Sequence, residues 1–334
     1  MDIYQTVNCY LDKDLFSEHL KYLATLDLKG IRCNLSKLSG TELVKALQNI
    51  KQAFSTTYNF ELLIDIAYPF FKPRIVYFDC NSNIITDHKY YILKNHSQIK
   101  KFEKSTIILS TINFSLIHLD DIVYYSDGSG AFKVTYVSSD YVEVIALNDF
   151  TIHKNKSISF SFQENQNLIT YLEHFFNEFE GLKISFLFSF VSCPDDINIF
   201  RSKIKGEYKI ISKIESMMGI NNLDEIAKVS SGLLIARGDL AIYEDYSKLF
   251  FHTNKIAEIA KENKIDVYCA TDILLSMAEA YLPNRADIID ISYNLSLGCN
   301  KYILPNYMGD IERVINVLNK LGSNFGENIE GSSK

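Results

Sequence analysis

The chain has 334 residues, 47% hydrophobic and 22% charged, with a net charge of −7. That length exceeds one ordinary domain and suffices for a large core, and the composition excludes a disordered chain. The acidic balance argues against a nucleic-acid partner, and no apolar run reaches the roughly 20 residues of a membrane span.

The start, Met1-Asp2-Ile3-Tyr4-Gln5, lacks the basic-then-apolar build of a signal peptide, so a cytoplasmic protein is expected. Residues 3–9 and 30–35 read as short apolar strands. After the second, Leu43, Val44, Leu47, Ile50 and Phe54 keep the period of an amphipathic helix across 41–54. A third strand is predicted at 61–66. From there the rhythm changes. Runs at 75–78, 89–92, 106–109, 134–137 and 142–145 are β-like and are separated by turn signals such as Cys80-Asn81-Ser82-Asn83 and Ser126-Asp127-Gly128-Ser129-Gly130. This stretch reads as a small β domain inserted after the third strand.

Strands then follow at 184–190, 208–215, 232–236, 265–270 and 301–304. Helical patterns occupy 246–261, with Leu249, Phe250, Ile256 and Ile259, and 310–321, with Ile311, Val314, Ile315 and Leu318. Strands alternating with helices mark βα units around a parallel sheet. Eight of them predict an α/β fold, a (β/α)₈ TIM barrel made of 1–73 and 157–325. The inserted small β-barrel lid domain would be 74–156, and 326–334 a flexible tail. The six cysteines form no CxxC pair and read as buried thiols, not as a zinc site or a disulfide framework.

A (β/α)₈ barrel carries its active residues at the C-terminal ends of its strands. At those ends stand Arg32-Cys33-Asn34-Leu35-Ser36, Ile64-Asp65, Lys213-Ile214-Glu215, Arg237-Gly238-Asp239 and Thr271. Lys213 and Glu215 share a face because strand side chains alternate. Each cluster alone also reads blandly, as an ion pair, a turn or a helix cap.

Four blocks in one order carry more. Lys209–Leu240 contains Ile211-Ser212-Lys213-Ile214-Glu215 and Ala236-Arg237-Gly238-Asp239-Leu240. It is followed by Cys269-Ala270-Thr271-Asp272-Ile273-Leu274-Leu275-Ser276-Met277 and by Pro283-Asn284-Arg285-Ala286-Asp287. These resemble the I-S-K-I-E, A-R-G-D-L, C-A-T-Q-M-L-E-S-M and P-T-R-A-E blocks of the pyruvate kinase family. Arg32–Ser36 is similar to that family's R-x-N-F-S, Leu63-Ile64-Asp65 with Pro69 to its A-L-D-x-x-x-P, and Tyr124–Gly128 to the V-D-D-G turn of its lid. The resemblance covers about residues 3–320 and does not reach the family's regulatory C-terminal domain.

The resemblance implies an Mg²⁺-dependent enzyme, with Mn²⁺ as the alternative ion, that binds phosphoenolpyruvate, pyruvate or a related 2-oxo acid. It implies Glu215 and Asp239 as metal ligands, whose hard oxygens suit such ions. It implies Lys213 beside the transferring phosphoryl and enolate oxygen, Thr271 on the proton path to the enolate carbon, and Arg32 on the phosphate. Ala236, Arg237, Gly238, Asp239 and Thr271 would bind substrate, the carboxylate being received by backbone N–H groups. Asn34, Ser36 and Asp65 match the family's ligands for a monovalent cation, K⁺, and Asp127 falls in the lid turn.

The departures lie on the side that receives ADP or ATP in that family. D-T-K-G-P-E-I-R becomes Asp65-Ile66-Ala67-Tyr68-Pro69-Phe70-Phe71-Lys72, so an acid gives way to Phe70 and a phosphate-bridging arginine to Lys72. Arg and Lys are not equivalent where a bidentate contact matters. S-H-G becomes Ser36-Lys37-Leu38, which puts Lys37 on the same side. Phosphoryl transfer with an altered acceptor side is the first reading. A metal-dependent pyruvate-enolate lyase or aldolase, or an oxaloacetate decarboxylase, is the second, and a non-catalytic ligand-binding scaffold the third. A homo-oligomer is compatible with each.

Overall fold

In the computed structural model the described residues are 1–9, 13–36, 38, 40–53, 60–79, 82–93, 105–110, 112–126, 128–160, 164–165, 183–204, 206–243, 245–306 and 309–331. They divide into two compact units. One is Met1–Pro69 with Asn167–Lys334, the other Phe70–Gln166.

The first unit is a closed parallel barrel. Its strands are β1 (Asp2–Val7), β2 (Gly30–Asn34), β3 (Glu61–Phe71), β4 (Ile184–Ser189), β5 (Lys209–Ile214), β6 (Gly232–Ile235), β7 (Asp266–Cys269) and β8 (Lys301–Leu304). Neighbours in sequence pair in space, β1 pairs with β8, and β2 with β3 closes the ring. Around it stand α1 (Lys13–Leu23), α2 (Gly40–Ala53), α3 (Pro194–Lys203), α4 (Met217–Asn221), α5 (Leu223–Val229), α6 (Arg237–Tyr243), α7 (Leu249–Glu262), α8 (Arg285–Ser296) and α9 (Ile311–Gly331).

The period-two alternation of the strands builds two cores at once. Tyr4, Leu63, Leu187, Ile211, Leu234, Tyr268 and Ile303 point inward and fill the barrel. Their neighbours Ile3, Ile64, Phe186, Ile210, Leu233, Val267 and Tyr302 point outward and pack under the helices. Where the inward parity reaches the C-terminal ends, polar residues take over: Thr6, Arg32, Asp65, Ser189 and Lys213.

The structure departs from the periodicity reading in three places. β3 runs on to Phe71, because Phe70 and Phe71 pair antiparallel with Asn165 and Glu164. The helix predicted at 246–261 begins as a 3₁₀ turn over Tyr246–Lys248, where the Asp245 side chain accepts from the Ser247 N–H, and becomes α-helical at Leu249. The stretch read as a tail from 326 is helical as far as Gly331, as the last part of α9.

The second unit is built on a seven-stranded sheet in the order Ile158–Ser159, Ile122–Tyr125, Gly130–Val137, Tyr141–Ala146, Lys89–Leu93, Thr106–Leu109, Ile75–Phe78. Ile75, Ile92, Ile107, Val123, Phe132, Val134, Val142 and Val144 form its core. The strand Ile122–Tyr125 escaped the sequence reading because it runs straight into the turn signal at Ser126. Among the described residues no helix is long and apolar enough to cross a membrane.

Candidate active site

The C-terminal mouth of the barrel gathers a buried ionic cluster. Asp65, at 0% exposure, accepts from Arg32 through Nε at 3.0 Å and Nη2 at 2.5 Å, both on Oδ2. The Lys213 ammonium stands 3.3 Å from the other oxygen, Oδ1, and 3.5 Å from Glu215 Oε1. Arg32 Nη1 also donates to the Thr6 hydroxyl at 3.2 Å. The parity of β2, β3 and β5 brings these groups together, since Arg32, Asp65 and Lys213 all fall on inward positions.

Glu215 lies just past the end of β5. Its Oε2 accepts from the backbone N–H of Phe190 at 2.6 Å. Phe190 follows β4 in the left-handed region, at φ 55°, a conformation disfavoured for a bulky residue and concentrated at functional sites. Ser216 then accepts from the Gly219 N–H and caps α4, so the chain leaves the strand immediately after Glu215.

Charge explains how the cluster survives burial. Burial alone would lower the Lys213 pKa, but Asp65 and Glu215 outweigh it and hold the ammonium above the usual lysine value. Asp239 acts on Lys213 in the same sense and Arg32 against it. Burial would likewise raise the Asp65 carboxyl, yet Lys213 and Arg32 hold it below the usual carboxylate range. Among the described residues the carboxylates of Asp65, Glu215 and Asp239 and the cations of Arg32 and Lys213 act on one another here.

The oxygen-only chemistry of these carboxylates fits a hard divalent ion. Glu215 and Asp239 are the residues that would hold Mg²⁺ or Mn²⁺; Mg²⁺ is commonly bound through one or two carboxylates plus substrate oxygens. Among the described residues no group of three or more His, Cys, Asp or Glu side chains is placed to hold a metal ion.

Asp239 sits in the first turn of α6, half-buried. The turn is set by Ala236, whose carbonyl accepts from the Leu240 N–H at 3.1 Å. At Gly238 a Cβ would stand 3.3 Å from the Thr271 Cγ2, so glycine allows α6 and the end of β7 to meet. Thr271 is exposed and has φ 67°. The side chain of Arg237, read from sequence as part of the substrate site, pairs with Asp290 and donates to the Thr271 carbonyl at 2.8 Å.

The sequence blocks also explain one another. Asp287 accepts from both the N–H and the hydroxyl of Ser276, at 3.0 and 2.5 Å, while Asn284 caps α8 by accepting from the Asp287 N–H. The block after β7 and the block opening α8 are therefore one hydrogen-bonded corner.

Asn34 Oδ1 accepts from the Ser36 N–H at 3.2 Å and hydroxyl at 2.6 Å, a local turn at the end of β2. Lys72 is half-buried and belongs to the second unit. Lys37 and Asp127 lie outside the described residues. Sequence reasoning missed Thr6, Asp290 and the Phe190 N–H. Thr6 stood at an inward strand end and could have been found by parity; a backbone donor and an acid 53 residues from its arginine had no local signal.

Comparison with known proteins agrees with this layout. Residues 13–305 match the family model described as pyruvate kinase, barrel domain. The chain is 32% identical over 203 residues to the pyruvate kinase of Encephalitozoon cuniculi, covering 58% of this chain and 46% of that protein. It is 27% identical over 298 residues to that of Trypanoplasma borreli, covering 86% and 58%, and 30% identical over 194 residues to that of Thermoplasma acidophilum, covering 56% and 35%. The chain spans about half the length of the first two of these relatives.

Proposed function

The chain belongs to the pyruvate kinase family, and from that premise we propose that it binds phosphoenolpyruvate or pyruvate at the barrel mouth and stabilises the enolate, with phosphoryl transfer as its reaction. The observation that carries this reading is the Arg32–Asp65–Lys213–Glu215 cluster, a buried charge arrangement at the strand ends where barrel enzymes do their chemistry.

A divalent ion, when bound, would offset the charge that develops as the phosphoryl group departs. The protein's part is orientation and electrostatics. Asp65 fixes the two cations, so that the Lys213 ammonium is held charged near the enolate and phosphoryl oxygens and the Arg32 guanidinium near the phosphate. Thr271 holds or relays the proton for the methylene carbon. Donors of this kind, preorganised in an enclosed site, are typically worth about 3–4 kcal/mol each in the transition state.

The test is pyruvate release from phosphoenolpyruvate, ADP and Mg²⁺ by the purified chain. Lys213→Met should lower that rate by about 10²–10³ while the melting curve keeps its cooperativity. No pyruvate above background from the native chain would remove the kinase step.

A second reading rests on the acceptor side, where Phe70 and Lys72 replace the family's acid and arginine. Those changes favour enolate chemistry that needs no nucleotide, as in a pyruvate-enolate lyase, an aldolase or an oxaloacetate decarboxylase. Deuterium exchange into the pyruvate methyl without ATP, together with no nucleotide binding, would select it. A K⁺ requirement through Asn34, Ser36 and Asp65 is decided by the same assays run with and without the ion.

A further inference from the structure

The turn after β7 is the most strained part of the barrel mouth. Thr271, Asp272 and Leu274 have φ of 67°, 56° and 50°. None is glycine, and for the β-branched Thr271 the conformation is unusual enough that the surroundings must impose it. Two restraints act here. The Gly238 backbone lies against the Thr271 side chain. From the other side, Arg237 Nη2 donates to the Thr271 carbonyl at 2.8 Å.

The guanidinium is itself anchored. Its Nη1 pairs with Asp290 on α8, and the fully buried Asn294 donates to the same Asp290 oxygen at 3.3 Å and to the Asp290 carbonyl at 2.8 Å. A planar fork can hold a carbonyl and a carboxylate together in fixed geometry, which an ammonium cannot. A continuous line runs from the core of α8 through Arg237 to one backbone atom of the residue expected to handle the enolate proton.

We propose that Arg237 is a positioning residue: its guanidinium sets the backbone of Thr271, and through it the direction of the Thr271 hydroxyl. The arrangement assigns the arginine side chain to the turn, leaving substrate to its neighbours. The catalytic part of the claim rests on the enolate reading above. Misplacing a reacting group by about 1 Å can cost on the order of 100-fold in rate.

The test uses the full chain and two readouts. Amide hydrogen exchange over residues 271–278 reports the turn itself, where the Leu275 and Met277 N–H groups bond to the Asp272 and Leu274 carbonyls. Deuterium exchange into the pyruvate methyl with Mg²⁺ reports Thr271. Arg237→Met should speed amide exchange in that segment by at least about tenfold and lower the kcat of methyl exchange by about 100-fold, with KM changed by less than about threefold. Arg237→Lys should fall between. Should Arg237→Met fail to fold, Asp290→Asn removes the anchor but keeps the donor to Thr271, and should shift both readouts in the same direction. Unchanged amide protection overturns the proposal. So does a loss that appears in KM alone, which would make Arg237 a substrate ligand. If the native chain exchanges no methyl deuterium, the enolate reading falls, and amide protection alone decides whether Arg237 holds the turn.

Discussion

The two ends of the barrel each bury a carboxylate, and they treat it in opposite ways. At the mouth, Asp65 is held by the cations of Arg32 and Lys213, with the acids Glu215 and Asp239 close enough to act on Lys213. At the floor, Glu61 is 3% exposed and accepts from neutral hydroxyls, Tyr4 Oη at 3.0 Å and Ser185 Oγ at 2.6 Å. The floor's own cation, Lys301, pairs with Asp2 at 2.6 Å and Asp266 at 3.6 Å and lies over the Tyr268 ring. The floor carboxylate is held by neutral donors, the mouth carboxylate by cations.

This contrast can be broken most directly at Asp65. Asp65→Asn would take the carboxylate from Arg32 and leave the buried Lys213 with Glu215 alone, and should cost about 3–5 kcal/mol of stability, measured as a shift in urea midpoint, besides abolishing activity. Glu61→Gln should cost less, about 1–3 kcal/mol, because it spoils one of two hydrogen bonds and strands no charge. It should leave ligand binding at the mouth unchanged; a large fall in affinity there would show that floor and mouth are coupled.

The smallest expected effect is the dependence on pH. The Asp65 carboxyl is held below its ordinary value of 3.8, so its stabilisation is complete above that value and is lost as pH falls through the lower, folded one. Lys213 is held above 10.5, so its share is present below 10.5 and lost only as pH rises through the higher value. The stability difference between the native chain and Asp65→Asn should therefore be flat from about pH 5 to pH 9 and shrink in acid below the usual carboxylate range. A difference that changed across neutrality would mean another group titrates in the cluster.

Much of this was legible in the sequence, for physical reasons that differ by residue. Lys213 and Glu215 were readable because a strand's alternation puts residues two apart on one face. Gly238 and Asp239 were readable because a strand ended there and a helix began. The eight barrel strands were marked by apolar runs whose length suits a strand buried on both faces. What stayed hidden was pairing across the ring. Asp65 lies 33 residues from Arg32 and 148 from Lys213, and only the closure of the barrel makes them neighbours. Glu61 opens the third strand, and nothing local announces that Tyr4 and Ser185 supply its donors. The Arg237–Asp290 pair was hidden for the same reason, since an arginine in an Arg-Gly-Asp run suggests a ligand before it suggests a brace.

The extension of β3 has a consequence for how such a molecule arises. Phe70 and Asn165, where the chain departs from the third strand and where it comes back, are cross-strand partners. The two ends of the second unit are therefore as close together as the strands of a hairpin. Closing that gap costs the host little entropy however much chain is looped out, since the cost grows only with the logarithm of loop length. Seen this way the insert is a cassette: it can be lengthened, rewritten or exchanged at its far strands without asking the host ring to re-register. Change in one part of the chain can thus run far ahead of change in the other.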